Sequence, residues 1–178
     1  MIFGIYDNIF DDKFLFELTD ICNYSIPNKP GNVANRKTFP YGTVGSHNLM
    51  GVTLFNKISK YRIMSICPDE LMRAFEHIAN NIIKKEFNLI SIDSNMQTMG
   101  MDGTPHRDDG DTIMLFPNYT WDPKWGGEFQ ELNEMGDVLE TVTYVPGRVI
   151  YFQGTALHRG LAPTVPYVYR HSIAYRVK

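Results

Sequence analysis

Hydrophobic side chains follow two different spacings along the chain, and the spacing changes near residue 88. Before that point, hydrophobic positions recur every three or four residues, which is the period of an amphipathic helix. This spacing predicts one helix from Asp11 or Asp12 to about Tyr24 and a second from Pro68 to about Phe87. Both predicted starts carry acidic residues, and the second also carries a proline, as is typical of the first turn of a helix.

From Leu89 onward the hydrophobic period is two, which indicates β-strands. On the first of these strands Ser91, Asp93, Asn95 and Gln97 share one face. A polar face normally lies in water, but in a sheet that encloses a cavity it can face the binding site instead.

Further strands are predicted at residues 112–116, 129–132, 138–145, 148–152 and 168–177, and shorter ones at 2–6 and 51–55. Glycine and proline residues separate them. Short strands at this spacing predict a mainly β fold, a jelly roll or a sandwich, with the two helices supporting one outer face. Residues 25–46 are rich in proline, glycine and asparagine and form a predicted long loop, either a functional lid or a disordered segment.

A length of 178 residues predicts a single domain over residues 1–178, with helices and the lid loop in 1–88 and the core with the site in 89–178. A net charge of -3 and a pI near 5.9 argue against nucleic acid and membrane surfaces as partners. No signal peptide and no membrane-spanning apolar run are predicted, so we expect a cytoplasmic protein.

Cys22 and Cys67 are interpreted as small buried hydrophobic residues rather than a disulfide.

The candidate chemistry lies in two segments about fifty residues apart. His106 and Asp108 are two positions apart, so on an extended backbone their side chains point to the same side. A second imidazole, from His158, completes two histidines and one carboxylate, the ligand set that selects non-haem Fe(II). Twelve residues later, Arg170 and Ser172 share one face of a predicted strand and are the groups that would hold a free carboxylate.

Four segments follow one another in order: His106-x-Asp108, Gly126-Gly-Glu-Phe129, His158 and Arg170-x-Ser172. This order resembles the Fe(II)/2-oxoglutarate-dependent dioxygenases, and within them the prolyl 4-hydroxylase-like group, over about residues 95–178. The resemblance implies a double-stranded β-helix (jelly roll) that uses Fe(II), 2-oxoglutarate and O2, with ascorbate as a candidate reductant. It also implies hydroxylation of an unactivated carbon with release of succinate and CO2.

The resemblance also implies roles for individual residues. His106, Asp108 and His158 would be the metal ligands and the catalytic centre, and Arg170 with Ser172 would bind the 5-carboxylate of 2-oxoglutarate. The further candidates for cosubstrate contacts, listed by strand position, are Gln97, Asn95 and Thr112. Gln97 stands where many prolyl hydroxylases have a tyrosine.

The expected function is hydroxylation of a peptidyl residue, proline first, so a peptide is the expected partner. A hydroxylase of a free amino acid or small metabolite is an alternative within the same chemistry. Two alternatives of other classes are a non-catalytic jelly roll that binds a metal and a hydrolytic zinc enzyme, because three ligands and an open position also suit zinc-bound water. The sequence predicts no oligomeric state, and no role in the site is predicted for His47, His77 or His171.

Overall fold

The computed structural model describes residues 1–30, 49–59 and 62–178. The helices and strands, in chain order, are β1 (Ile2–Tyr6), α1 (Asp12–Tyr24), β2 (Lys29–Pro30), β3 (Met50–Ser59), β4 (Arg62–Ser65), α2 (Asp69–His77), a π-helix (Ile78–Ile83), β5 (Leu89–Gln97), β6 (Asp111–Leu115), a 3-10 helix (Pro123–Trp125), β7 (Phe129–Leu132), β8 (Val138–Val142), β9 (Val149–Gln153), β10 (Leu157–Gly160) and β11 (Arg170–Val177).

Two antiparallel sheets contain all of these strands. The larger sheet has the order β1, β9, β6, β11, β5, β3, β2, with β4 paired to β3, and the smaller has the order β10, β7, β8. The segment from Gly103 to Asp108 extends the smaller sheet, because His106 forms a β-bridge with His158 and the Gly103 N–H donates to the Gly160 carbonyl at 2.8 Å. The prediction of a mainly β jelly roll is therefore confirmed.

Side chains alternate across the larger sheet and divide it into two environments. On β11, Ile173, Tyr175 and Val177 belong to a hydrophobic core that also contains Leu18 of α1 and Leu71 of α2. The helices thus pack on this face, as the helical spacing predicted.

The opposite face of the larger sheet looks toward the smaller sheet. A second hydrophobic cluster joins the two sheets there, and its members are Met114, Phe116, Phe129, Val142, Tyr144, Ile150 and Phe152. On β11 this face carries Arg170, Ser172 and Arg176, which alternate with the core residues. The space between the sheets is therefore hydrophobic in one part and strongly polar in another.

The first 88 residues contribute more than helices and a loop. Strands β1 to β4 all belong to the larger sheet, with β1 at its outer edge. The side chain of Asp11 accepts a hydrogen bond from the Phe14 N–H at 2.8 Å, so α1 starts where its capping residue indicated. Residues 31–46 of the expected lid loop lie outside the described residues.

Several element bounds differ from the prediction. Helix α2 ends at His77, and the π-helix that continues it ends at Ile83, four residues before the predicted end at Phe87. Lys84 then adopts a left-handed conformation at φ 57°, which terminates the helical segment. Strand β11 starts at Arg170 rather than at residue 168, since Tyr167 is also left-handed at φ 62°. Strand β10 was not predicted: His158 lies within it rather than after the preceding strand.

Burial raises the pKa of the Cys22 thiol to about 12, in agreement with its place in the core cluster. Within the described ranges, no helix is both long enough and apolar enough to cross a membrane.

Candidate functional site

Three side chains converge where the smaller sheet meets the segment that precedes β6. One ligand atom each from His106, Asp108 and His158 lies within 4.8 Å of the others. The His106 Nε2 is 3.9 Å from Asp108 Oδ1, and the His158 Nε2 is 3.7 Å from Asp108 Oδ2. The structure therefore brings together the three residues that the sequence proposed as metal ligands.

The backbone fixes which nitrogen each imidazole presents. The Nδ1 of His106 lies 2.9 Å from the Thr104 carbonyl, and the Nδ1 of His158 lies 2.9 Å from the Ala156 carbonyl. A carbonyl only accepts hydrogen bonds, so each Nδ1 carries the proton and a neutral ring presents the Nε2 lone pair toward Asp108. Burial, with the neighbouring His158, lowers the pKa of His106 to about 4, which keeps its ring neutral at physiological pH.

Asp108 is buried and held on several sides. Its Oδ2 accepts a hydrogen bond from the Thr112 hydroxyl at 2.9 Å, and its N–H donates to the Gly154 carbonyl at 2.6 Å. Burial by itself would raise the pKa of this carboxyl, but the interactions with His158 and Arg176 outweigh burial and hold the pKa below its ordinary value. Thr112, a candidate for a cosubstrate contact, thus lies against the candidate metal ligand.

Arg170 is buried, with a relative exposure of 1%, and its guanidinium is only partly satisfied. The Nε donates to the Gly127 carbonyl at 2.8 Å, and the Nη1 donates to Gln97 Oε1 at 2.8 Å and to Ser172 Oγ at 3.3 Å. The Nη2 is buried and has no hydrogen-bond partner among the described residues. Burial lowers the pKa of Arg170 to about 10, so the group remains a cation.

Aromatic rings and glycines shape the space around this guanidinium. Its carbon lies 5.1 Å from the centre of the Phe116 ring and 5.2 Å from that of Tyr144, distances typical of cation–π contacts. A methyl group at Gly160 would come within 3.2 Å of the Nη2, and Gly127 has φ +85° with Arg170 Cδ 3.3 Å from where its Cβ would be. The Gly126-Gly127 turn therefore lets the sheet approach the arginine closely, a role that the sequence did not predict.

Gln97 and Asn95 lie beside Arg170 and Ser172 on the neighbouring strand. The register of β5 and β11 places Gln97 opposite Arg170 and Asn95 opposite Ser172. The Gln97 amide donates both to the Met101 carbonyl at 2.7 Å and to the Gly160 carbonyl at 3.0 Å. Because its amide protons and its oxygen are all engaged within the protein, Gln97 orients Arg170. Asn95 lies between Gln97 and Asp93 on the same side of β5.

One charged residue of the site was missed from the sequence. Arg176 Nη2 lies 3.5 Å from Asp108 Oδ1 and 3.6 Å from Asp93 Oδ2. Asp93 also accepts hydrogen bonds from the hydroxyls of Thr53 at 2.6 Å and Ser91 at 3.1 Å. The polar face of β5 thus looks into the site, and Arg176 has the strand parity of Arg170, a signal that was present in the sequence.

Two of the other histidines lie outside this cluster. His171 Nε2 lies 2.9 Å from Asn23 Oδ1 of α1, on the face of β11 opposite to Arg170. His77 Nε2 lies 3.0 Å from the Ile9 carbonyl. His47 lies outside the described residues.

Several solved structures match almost the whole chain. A 2OG-Fe(II) oxygenase family oxidoreductase from Burkholderia pseudomallei is 12% identical, with a TM-score of 0.67 over 98% of this chain and 84% of that one. A viral collagen prolyl hydroxylase from Paramecium Bursaria Chlorella virus-1, in complex with 2OG (2-oxoglutarate), is 14% identical, with a TM-score of 0.58 over 98% and 94%. A prolyl hydroxylase from Trichoplax adhaerens, in complex with a hypoxia inducible factor oxygen degradation domain peptide fragment, is 12% identical, with a TM-score of 0.60 over 98% and 82%.

The chain has the fold of the 2OG-Fe(II) oxygenases. No protein-family model and no curated protein matches it. At this level of identity the likeness concerns the fold alone, because one fold supports many functions. What this chain binds and does therefore depends on its own side chains.

The three converging side chains predict a metal site that single substitutions weaken strongly. We expect Asp108→Ala and His158→Ala to weaken Co(II) binding by about 100-fold or more, since even the loss of an outer hydrogen-bond partner costs 10- to 100-fold in metal affinity. Isothermal titration calorimetry measures this, and far-UV circular dichroism checks the fold. His77→Ala is the matched control and should bind Co(II) as the wild type does. Unchanged affinity and stoichiometry in both site variants would contradict the assignment.

Proposed function

We propose that the protein is an Fe(II)- and 2-oxoglutarate-dependent hydroxylase, and that its substrate is a residue of a peptide, with proline as the first candidate. The observation that carries the proposal is a buried guanidinium whose Nη2 has no hydrogen-bond partner among the described residues, beside a three-ligand metal candidate. A buried charge is costly unless it is paired, so the Nη2 of Arg170 calls for an anionic ligand.

The distance between Arg170 and the candidate metal ligands suits a short dicarboxylate. The Arg170 guanidinium lies against Gly160, and Gly160 is two residues from His158 on β10. Two residues of a strand span about 7 Å, and alternate residues face the same side. A five-carbon dicarboxylate has a comparable length, so its far carboxylate reaches Arg170 when its near end is at the metal ligands.

The three candidate ligands favour Fe(II) as the metal at the near end of the dicarboxylate. Two neutral imidazoles and one carboxylate on one face, with the opposite positions open, are the donors of non-haem Fe(II) oxygenases. His106, Asp108 and His158 would hold the metal. When bound, Fe(II) with 2-oxoglutarate supplies the O2-dependent oxidation that hydroxylates an unactivated carbon and yields succinate and CO2.

The other residues would bind and orient the cosubstrate. Arg170 would pair with the 5-carboxylate and Ser172 would extend that contact, while Gln97 keeps the guanidinium in place. Phe116 and Tyr144 are both fully buried and keep water from the charged pair, which strengthens it. A non-catalytic module that only binds a metal has no use for such an arginine, so this alternative is disfavoured.

Anaerobic titration of 2-oxoglutarate into the Fe(II)-loaded protein tests the proposal. Chelation of Fe(II) by a 2-oxo acid gives a metal-to-ligand charge-transfer band in the visible, which should saturate in the wild type and be absent in His158→Ala. Arg170→Met should weaken 2-oxoglutarate binding by about 10-fold or more and leave Fe(II) affinity unchanged, because it removes charged hydrogen bonds of about 1.5–3 kcal/mol each. Absence of a band in folded, iron-loaded wild-type protein would refute the proposal.

A peptide substrate is supported by the shared fold of the Trichoplax adhaerens prolyl hydroxylase, which was solved with a peptide fragment. A free amino acid or a small metabolite is the alternative. We expect a proline-containing peptide, rather than free L-proline, to stimulate succinate release and to gain one oxygen atom by mass spectrometry. Stimulation by L-proline alone would reverse this choice. The cytoplasmic location and the use of ascorbate remain predictions from the sequence.

A further inference from the structure

A surface cavity lies between helix α1 and the segments at residues 118–125 and 167–169. Its volume is about 230 Å³, and four of the side chains that line it are aromatic: Trp121, Trp125, Tyr167 and Tyr169 (the aromatic pocket). Neither Arg170 nor any of the three candidate metal ligands belongs to the lining. The aromatic pocket is therefore separate from the candidate active site.

The aromatic pocket combines fixed rings with exposed ones. Trp121 and Trp125 meet edge to face, with ring centroids 5.4 Å apart and an angle of 79° between their planes. Trp121 also packs on the buried ring of Tyr144 at 4.3 Å. Tyr167, in contrast, is 93% exposed, and its left-handed backbone at φ 62° is rare for a tyrosine. Strained backbone and exposed aromatic rings are features that cluster at binding sites.

The polar groups of the aromatic pocket include donors without a partner. Within the described residues, the Trp125 Nε1–H and the Asn23 Nδ2 amide group form no hydrogen bond. The amide oxygens, in contrast, are engaged. Asn23 Oδ1 accepts a hydrogen bond from the His171 Nε2–H at 2.9 Å. Asn118 Oδ1 accepts from the Tyr144 hydroxyl and from the His171 N–H.

The charge of the aromatic pocket also limits its ligands. Among the described residues, no aspartate, glutamate, lysine or arginine lines it. A charged ligand would therefore lose water without gaining a counter-charge. A matching ligand is neutral, apolar on one side and rich in hydrogen-bond acceptors.

A proline-rich segment in the polyproline II conformation has this chemistry. Proline has no backbone N–H, so such a segment presents apolar rings and carbonyl acceptors and needs no acceptor from its binding site. Aromatic-lined grooves are the known mode of binding for such segments. A neutral sugar fits less well, because each of its hydroxyl groups also donates a hydrogen, and both amide oxygens of the pocket are already engaged.

We propose that the aromatic pocket binds a proline-rich segment of the peptide substrate, outside the site where hydroxylation takes place. The inference rests on the proposed function, because it takes the bound segment to be part of the substrate. A segment held at the pocket raises the effective concentration of its neighbouring residues at the candidate active site. Long proline-rich peptides are then better substrates than short ones.

Tryptophan fluorescence tests the binding step without turnover. The chain has two tryptophans, and both line the aromatic pocket. In the full chain, with or without Fe(II) and 2-oxoglutarate, we expect a proline decamer to shift the emission to shorter wavelength in a saturable way, because bound prolines displace water from the indole rings. A decamer of alternating glycine and serine should cause no shift, since it is flexible and has no rings.

Variants of exposed tyrosines keep both tryptophans as reporters. Tyr167→Ala should weaken binding of the proline decamer by about 10-fold or more, the loss expected for an aromatic anchor. Tyr167→Phe keeps the ring and should retain most of the affinity. Tyr24→Ala is the matched control, because Tyr24 is 82% exposed but does not line the pocket. Circular dichroism verifies the fold of each variant.

Turnover kinetics test whether the bound segment belongs to the substrate. A peptide with a proline-rich extension should have a KM about 10-fold lower than the same peptide with a glycine-serine extension, at similar kcat, because the extension adds a second contact. Tyr167→Ala should remove this difference in KM, and Tyr24→Ala should preserve it.

The outcomes distinguish this inference from the proposed function. No emission shift with the proline decamer, or equal weakening by Tyr167→Ala and Tyr24→Ala, would overturn it. A saturable shift with maltohexaose but not with the decamer would overturn it in favour of a carbohydrate site. Binding of the decamer without a lower KM for the extended peptide would show that the bound segment is not the substrate. Absence of the charge-transfer band and of turnover, with decamer binding that depends on Tyr167, would instead refute the proposed function.

Discussion

Two backbone hydrogen bonds between His106 and His158 determine the geometry on which the site depends. Each residue donates its N–H to the carbonyl of the other at 2.9 Å, so the pair forms an antiparallel β-bridge. Residues directly opposite each other in such a bridge project to the same side, with Cβ atoms about 5 Å apart. Asp108, two residues further on, projects to that side as well. The backbone pairing of the smaller sheet thus brings all three candidate ligands together.

The alternation of side chains on β11 links this site to the stability of the fold. Ile173 and Tyr175 bury one face against the helices, and the intervening positions place charged and polar groups between the sheets. A buried arginine with an open donor lowers the stability of the protein, and an anion bound to that donor would offset the cost. Phe116 and Tyr144 reduce that cost through their ring faces, and Gly127 and Gly160 leave the space that the guanidinium occupies.

Most residues of the site could be predicted from the sequence, but several of their contacts could not. The two-residue spacing of His106 and Asp108 was sufficient to predict a shared side, and the structure brings His158 to both. Strand β10 was missed because its sequence, Leu-His-Arg-Gly, contains none of the β-branched or large aromatic residues that are typical of strands. Arg176 was missed although it has the parity of Arg170, since its partner Asp93 lies on another strand and only the sheet register brings them together. Gln97 was expected at the cosubstrate, yet its amide is used by two carbonyls, a tertiary arrangement that local spacing does not contain.

A crystal structure of the protein with Mn(II) and 2-oxoglutarate would show whether the three candidate ligands and Arg170 form one binding site. We expect Mn(II) bound by the Nε2 atoms of His106 and His158 and by Asp108, with the 2-oxoglutarate 5-carboxylate on the Arg170 Nη2. Mn(II) bound elsewhere, or a 5-carboxylate that does not contact Arg170, would contradict this expectation.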